Sequence, residues 1–261
     1  MEIKVPEPSD VLAGIADVHA GFAGDKRTVA QWRESYREDL TTARQKPPLS
    51  IFLRFVNGFL ERAVPGDTWK RRMDAFAKSI ASFEAMTDES VARILRETGY
   101  RFPKDGLAVV MEAKRIVTSP TFAWSSYIEQ AEQFYETDFP HDPFLRIPFV
   151  AFKTRDLALS DLSDRFAAID LHVVRVISRT GLLVHGYGNG DISTDVSKTN
   201  GYMFFHELIL KLAHRTGWPG SGYSPGEIDR MIWNFGRAVC KNKPDCTSCP
   251  LAGTCLTSVR A

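Results

Sequence analysis

Apolar residues recur every three or four positions through most of the chain, and stretches that alternate apolar with polar are scarce. That period lines apolar side chains along one face of a helix, so the sequence predicts an all-α protein. Residues 1–24 are loosely patterned: Pro6 and Pro8 break the start, and Ser9-Asp10 can cap a short helix from Val11. Residues 25–45 form a charged helix with Trp32 and Tyr36 four apart, beside Arg33 and Arg37. The aromatic pair is read as docking on the core, and the remainder as a solvated face rather than a nucleic-acid contact.

After the break at Lys46-Pro47-Pro48, residues 49–62 read as a strongly apolar helix carrying Ile51, Phe52, Phe55, Val56, Phe59 and Leu60, ended by Pro65-Gly66. Helices are expected next over 67–80, over 90–98 behind the cap Thr87-Asp88-Glu89, and over 104–119 after a turn at 99–102. Residues 120–136 predict one more, rich in aromatics: Phe122, Trp124, Tyr127, Phe134 and Tyr135. His141-Asp142-Pro143 reads as a cap with proline at the first helical position of a brief helix over 144–147. A tight turn and a second short helix to about 159 complete a helix-hairpin-helix at about 143–159. A buried helix begins within 169–176, and the last two cover 202–216 and 224–239. The glycine-rich stretch 186–191 lacks a following Gly-Lys-Ser/Thr, so a phosphate cradle there is weakly supported.

Composition changes this picture little. With 261 residues, 44% hydrophobic and 25% charged, the chain suffices for one large or two small domains. No apolar run reaches the roughly 18 residues that cross a membrane, and the N-terminus lacks a signal-peptide core. Free cysteines then imply a reducing, cytoplasmic setting. A net charge of +1 decides neither for nor against nucleic acid, since a local basic face can hide in the total.

The cysteines change it most. All four fall in one short stretch, Cys240, Cys246, Cys249 and Cys255, with the spacing Cys-x5-Cys-x2-Cys-x5-Cys. Four soft thiolates on one loop point to a metal or cluster. Two disulfides compete, but such crowding without a secretory signal is uncommon among disulfide frameworks. Zinc sites usually present two Cys-x2-Cys knuckles, and only the middle pair here is one, so a [4Fe–4S] cluster is favoured with zinc as the alternative.

Three features in order resemble the helix-hairpin-helix DNA glycosylases of the endonuclease III type. Ile147-Pro148-Phe149-Val150-Ala151-Phe152-Lys153-Thr154 is similar to that family's Leu-Pro-Gly-Val-Gly-x-Lys-Thr. Asp170-Leu171-His172-Val173-Val174-Arg175-Val176 is similar to its Asp-Thr-His-x-x-Arg-Val, and the cysteines resemble its [4Fe–4S] loop. With weaker similarity upstream to about residue 48, the resemblance covers roughly four-fifths of the chain. It implies two all-α domains with a DNA cleft between them. One is a six-helix barrel domain over 48–160; the other is discontinuous, 1–47 with 161–261, and carries the cluster loop. A monomer in the cytoplasm, at the nucleoid if prokaryotic, is expected.

Two departures bear on DNA contact. Phe149 and Ala151 replace both hairpin glycines, and glycine permits positive φ and close approach of backbone N–H groups to phosphate. The family's polar wedge is also missing, with Glu61-Arg62-Ala63-Val64 in its place. The first cysteine gap is one residue shorter than is usual, which tightens the loop and removes no ligand.

The resemblance implies base excision from double-stranded DNA bearing a damaged or modified base. Asp170 would stabilise positive charge at the sugar C1′ and orient or deprotonate the nucleophile. Lys153, as that nucleophile, would give a Schiff base and β-elimination at the abasic site. A monofunctional glycosylase with Asp170-activated water is the alternative within enzymes, and a non-catalytic damage-binding protein the alternative outside them. Pro148, Phe149, Val150 and Ala151, with Lys241 and Lys243 of the cysteine loop, are the expected DNA contacts. His172 is read as structural, and Trp124, Tyr127 and Phe152 are candidates for the walls of a base pocket.

Overall fold

The computed structural model describes residues 6–22, 27–61, 66–135, 141–186 and 194–258, with only the backbone of Phe22, Gly66 and Asp67. Among these, every regular element is helical, as the periodicity demands. No helix is long and apolar enough to cross a membrane. The chain divides into two units, one comprising Met1–Asp39 with Asp164–Ala261, the other Leu40–Ser163.

The second unit contains α3 (Pro48–Phe59), α4 (Gly66–Ser79), α5 (Asp88–Glu97), α6 (Pro103–Val117), α7 (Trp124–Gln130) and α8 (Phe152–Ser160). α3 starts with proline at its first position and is its apolar axis, burying Ile51, Phe52, Leu53, Phe55, Val56 and Phe59. Rings of Phe55, Phe59, Phe122, Trp124, Tyr127 and Phe144 gather on it; Phe55 and Phe144 centroids lie 4.8 Å apart. Each buried ring contributes about 1.5–3 kcal/mol. The cluster also claims the candidate pocket walls: Trp124 and Tyr127 are part of it, and buried Phe152 stacks on Tyr135 at 5.6 Å. Tyr127 and Phe152 are packed into the core, while Trp124 stays partly exposed. α8 crosses α3 at Gly58, where an added Cβ would stand 2.7 Å from the Ala158 Cα.

Polar groups anchor α8 as firmly as packing does. Arg155 and Asp156, both fully buried, pair at 3.0 Å, and Arg155 lies 3.6 Å from buried Asp142. Arg155 Nη1 donates to the Ala131 carbonyl at 3.1 Å, and its guanidinium covers the Tyr135 ring at 4.4 Å. Burial works against the Arg155 charge, but Asp156, Tyr135, Tyr127 and Asp142 more than offset it and hold its pKa above the ordinary value. Burial likewise pushes up the pKa of Tyr127 and of Asp142, with Arg155 opposing both rises.

Two expected helices differ. The 120–136 segment is helical only over α7, followed by a 3-10 turn at Gln133–Tyr135. Arg155 takes the Ala131 carbonyl that an α-helix would offer to the Tyr135 N–H, and that N–H turns to Glu132 instead. The brief helix at 144–147 is a single 3-10 turn, Phe144–Arg146, with Pro143 as its cap. Asp142 performs the capping, accepting from the Phe144 N–H at 2.9 Å.

The first unit holds α1 (Pro8–Phe22), most of α2 (Val29–Arg44), α9 (Leu171–Thr180), α10 (Thr199–Arg215) and α11 (Pro225–Ala238). α1 is longer than its loose pattern suggests, because Val11, Leu12, Ile15 and Ala16 are fully buried against α10 and α11. Trp32 and Tyr36 of α2 stack on each other, and Tyr36 is buried. Ser224 caps α11 in a reciprocal arrangement with Glu227, whose buried carboxylate holds Arg33 and Arg37, each at 3.1 Å. α11 meets α9 at Gly236, where a Cβ would stand 3.0 Å from the His172 carbonyl. The glycine-rich stretch beyond Gly186 and positions 62–64 of the missing wedge lie outside the described residues.

Candidate functional site

Lys153 lies in the second unit and Asp170 in the first. Asp170 precedes α9 in an extended conformation (φ −127°, ψ −178°) that turns its side chain back over the helix start. Its Oδ1 accepts from the His172 and Val173 amides at 2.7 and 3.0 Å. Its Oδ2 accepts from the Trp233 Nε1–H of α11 at 3.0 Å. Each carboxylate oxygen has two lone pairs, so Oδ1 is saturated and Oδ2 keeps one acceptor site. The half-buried carboxylate is therefore oriented by three donors and still able to meet a cationic sugar or a water. Leu171, 69% exposed, flanks it on the solvent side.

Trp233 was missed in the sequence, where it is one of five tryptophans. Its only signal was an indole N–H that a half-buried tryptophan must satisfy. Arg237 lies over its ring at 5.3 Å. His172 accepts at Nδ1 from Arg175 at 2.7 Å and meets the Trp233 ring edge-on at 6.0 Å.

Lys153 occupies the first turn of α8, immediately after the hairpin. It is exposed and has no hydrogen bond or ion pair among the described residues. A cation there faces the positive end of the helix macrodipole, an arrangement disfavoured by about 0.3–1 kcal/mol. The other cation of α8, Arg155, is fully buried and paired.

The hairpin keeps its left-handed residue without glycine. Phe149 adopts φ 71°, which costs a side chain about 1–2 kcal/mol, and the residue is 53% exposed. Ala151 is extended (φ −126°, ψ 172°), so only the first glycine replacement carries strain. The Val150 N–H donates to the Ile147 carbonyl and the Ala151 N–H to Thr154 Oγ1, both at 3.1 Å. Pro148 is exposed, but the Val150 side chain is buried, which removes it as a side-chain contact to DNA.

All four cysteines line one recess with Arg179, Phe235 and Leu251, and none is in a disulfide. Burial pushes the Cys249 thiol pKa up, and the nearby Cys255, Cys240 and Cys246 add to the rise. Two arginines of α9 hold the loop. Arg175 donates to the Cys240 carbonyl, to Asn242 Oδ1 and to the Gly236 carbonyl; Arg179 donates to the Lys241 and Asn242 carbonyls and reaches Cys240 Sγ at 3.6 Å. Among the described residues no group of three or more His, Cys, Asp or Glu is arranged to hold a metal ion. In donor chemistry, four thiols lining one recess beside Arg179 suit an anionic thiolate cluster. Lys241 and Lys243 extend from the same loop into solvent.

No protein-family model and no curated protein sequence matches this chain. Solved structures do. The 8-oxoguanine DNA glycosylase of Thermotoga maritima shares 16% identity at a TM-score of 0.58, over 88% of this chain and 97% of its own. A trapped covalent intermediate of endonuclease III with DNA, an estranged-adenine complex, shares 16% at 0.57, over 97% and 98%. A thermostable thymine-DNA glycosylase shares 15% at 0.59, over 97% of each chain. At such identities the likeness establishes architecture: the chain has the all-α fold of the helix-hairpin-helix DNA glycosylases.

Proposed function

We propose that this protein is a DNA glycosylase that excises a damaged or modified base from duplex DNA and then cleaves the abasic site as a lyase. The observation that carries this reading is the oriented carboxylate of Asp170, three N–H donors holding it with an acceptor site left open. In the other unit Lys153 stands exposed on the first turn of α8, with no hydrogen bond or ion pair among the described residues.

The base is extruded from the stack before its C1′–N bond breaks. Asp170 Oδ2 stabilises the positive charge that develops on the sugar, and Trp233 and the α9 amides keep the carboxylate from rotating away. The Lys153 amine attacks C1′ as the base departs and gives up a proton, and ring opening yields a Schiff base. Loss of the C2′ proton then expels the 3′ phosphate by β-elimination. The proposal requires both side chains to reach the same deoxyribose.

The cysteines would hold a [4Fe–4S] cluster, with zinc as the alternative. Its part is structural, fixing the loop so that Lys241 and Lys243 meet phosphates. A brown protein with absorbance near ~400 nm supports the cluster; a colourless, zinc-containing protein contradicts it, since zinc is d10. Cytoplasmic action on chromosomal DNA, as a monomer, completes the proposal.

A panel of duplexes, each carrying a single lesion or mismatch, tests the activity. Release of a base from at least one member is expected. Binding to all without release from any would identify a damage-binding protein instead.

A further inference from the structure

Much of the hairpin's backbone is closed to a phosphate. Pro148 has no N–H, the Val150 N–H is taken by Ile147, and the Ala151 N–H is taken by Thr154. What the turn presents instead is side chains. Phe149, 53% exposed, stands at a left-handed backbone position, with exposed Pro148 before it and exposed Ala151 after. Arg146, three residues earlier, and Lys153, four later, are exposed cations. An aromatic ring between two cations is the composition by which proteins hold unstacked nucleic-acid strands: the cations track phosphates and the ring stacks on a base.

We infer that Phe149 stacks on an unstacked base, so that the hairpin selects DNA already distorted by a bulge, gap or mismatch over intact duplex. The inference rests on the glycosylase reading for its choice of DNA as partner. In an intact duplex each base is stacked on both faces and a ring meets only edges. An unpaired nucleotide offers a whole face. Attraction between Arg146, Lys153 and phosphates acts on any DNA and weakens with salt, whereas stacking does not depend on counterion release.

Fluorescence anisotropy on undamaged oligonucleotides isolates this from excision. Wild type is expected to bind a duplex with a single-nucleotide bulge about tenfold or more tighter than the intact duplex, and to keep that ratio at raised salt. Phe149→Tyr should preserve the ratio. Phe149→Gly, which relieves the left-handed side chain, and Phe149→Leu, which keeps an apolar group without a ring face, should both abolish it while intact-duplex affinity holds. Thermal melts confirm that the variants fold.

A ratio that survives Phe149→Gly and Phe149→Leu overturns the inference, as does equal weakening on both duplexes. Wild type that releases a base yet lacks the preference sinks this inference alone. A Phe149-dependent preference without release of any base upholds it and refutes the glycosylase reading. Wild type that binds none of the DNAs overturns both.

Discussion

The starts of α8 and α9 share a backbone and differ in chemistry. Ala151 and Asp170 precede their helices with nearly the same extended dihedrals. Asp170 gives two α9 amides a carboxylate, the residue a helix start favours. Ala151 gives α8 no acceptor, and Lys153 puts a cation where the macrodipole opposes it. α8 is anchored from inside by Arg155, Asp156 and Asp142, and so tolerates a poor start. One helix start carries the charge it favours; the other carries a cation at a local cost.

The sharpest way to break that contrast is Asp170→Asn. Asparagine still accepts from the α9 amides, but its Nδ2 would meet the Trp233 N–H donor to donor, so stability should fall by about 1–3 kcal/mol, short of unfolding the protein. Base release should fall roughly 10²–10⁴-fold, because the charge is gone. Normal activity in this variant would show that Asp170 is a cap and nothing more.

Next in size is Arg155→Met, which leaves Asp142 and Asp156 buried without their cation and should cost about 3–5 kcal/mol in denaturant unfolding. A variant that unfolds like wild type would mean that α8 does not depend on its buried network. Trp233→Phe removes one charge-assisted hydrogen bond while Asp170 still caps α9. Base release should drop by about tenfold or more, with stability affected less than in the arginine variant. Unchanged turnover would show that Oδ2 needs no orientation.

The smallest effect carries an unusual sign. Lys153→Gln removes a cation from the wrong end of a helix and should stabilise the fold by about 0.3–1 kcal/mol, measured by thermal melting in low salt, while abolishing strand cleavage. A destabilised variant would mean that Lys153 supports α8 rather than burdening it.

Much of this architecture was legible because it is local. Apolar spacing and the Pro47-Pro48 break marked α3, and Thr87 announced α5. What escaped is tertiary. α7 stops early because Arg155, 24 positions away, takes the Ala131 carbonyl. α1 outlasts its pattern because α10 and α11 cover its apolar face. Trp233 lies 63 residues from the carboxylate it orients, and no spacing rule joins them. Tyr127 and Phe152 read as candidate pocket walls because composition cannot distinguish a ring lining a cavity from one filling a core. At the hairpin the sequence showed two missing glycines, but only the backbone shows that position 149 retains positive φ and position 151 does not.

Borohydride trapping addresses the central claim most directly. Wild type, incubated with a lesion duplex it excises and reduced during turnover, should form a covalent protein–DNA complex whose modified peptide contains Lys153, and Lys153→Gln should form none. Base release by wild type with no trapped complex, or an adduct on another lysine that persists in Lys153→Gln, would contradict the account.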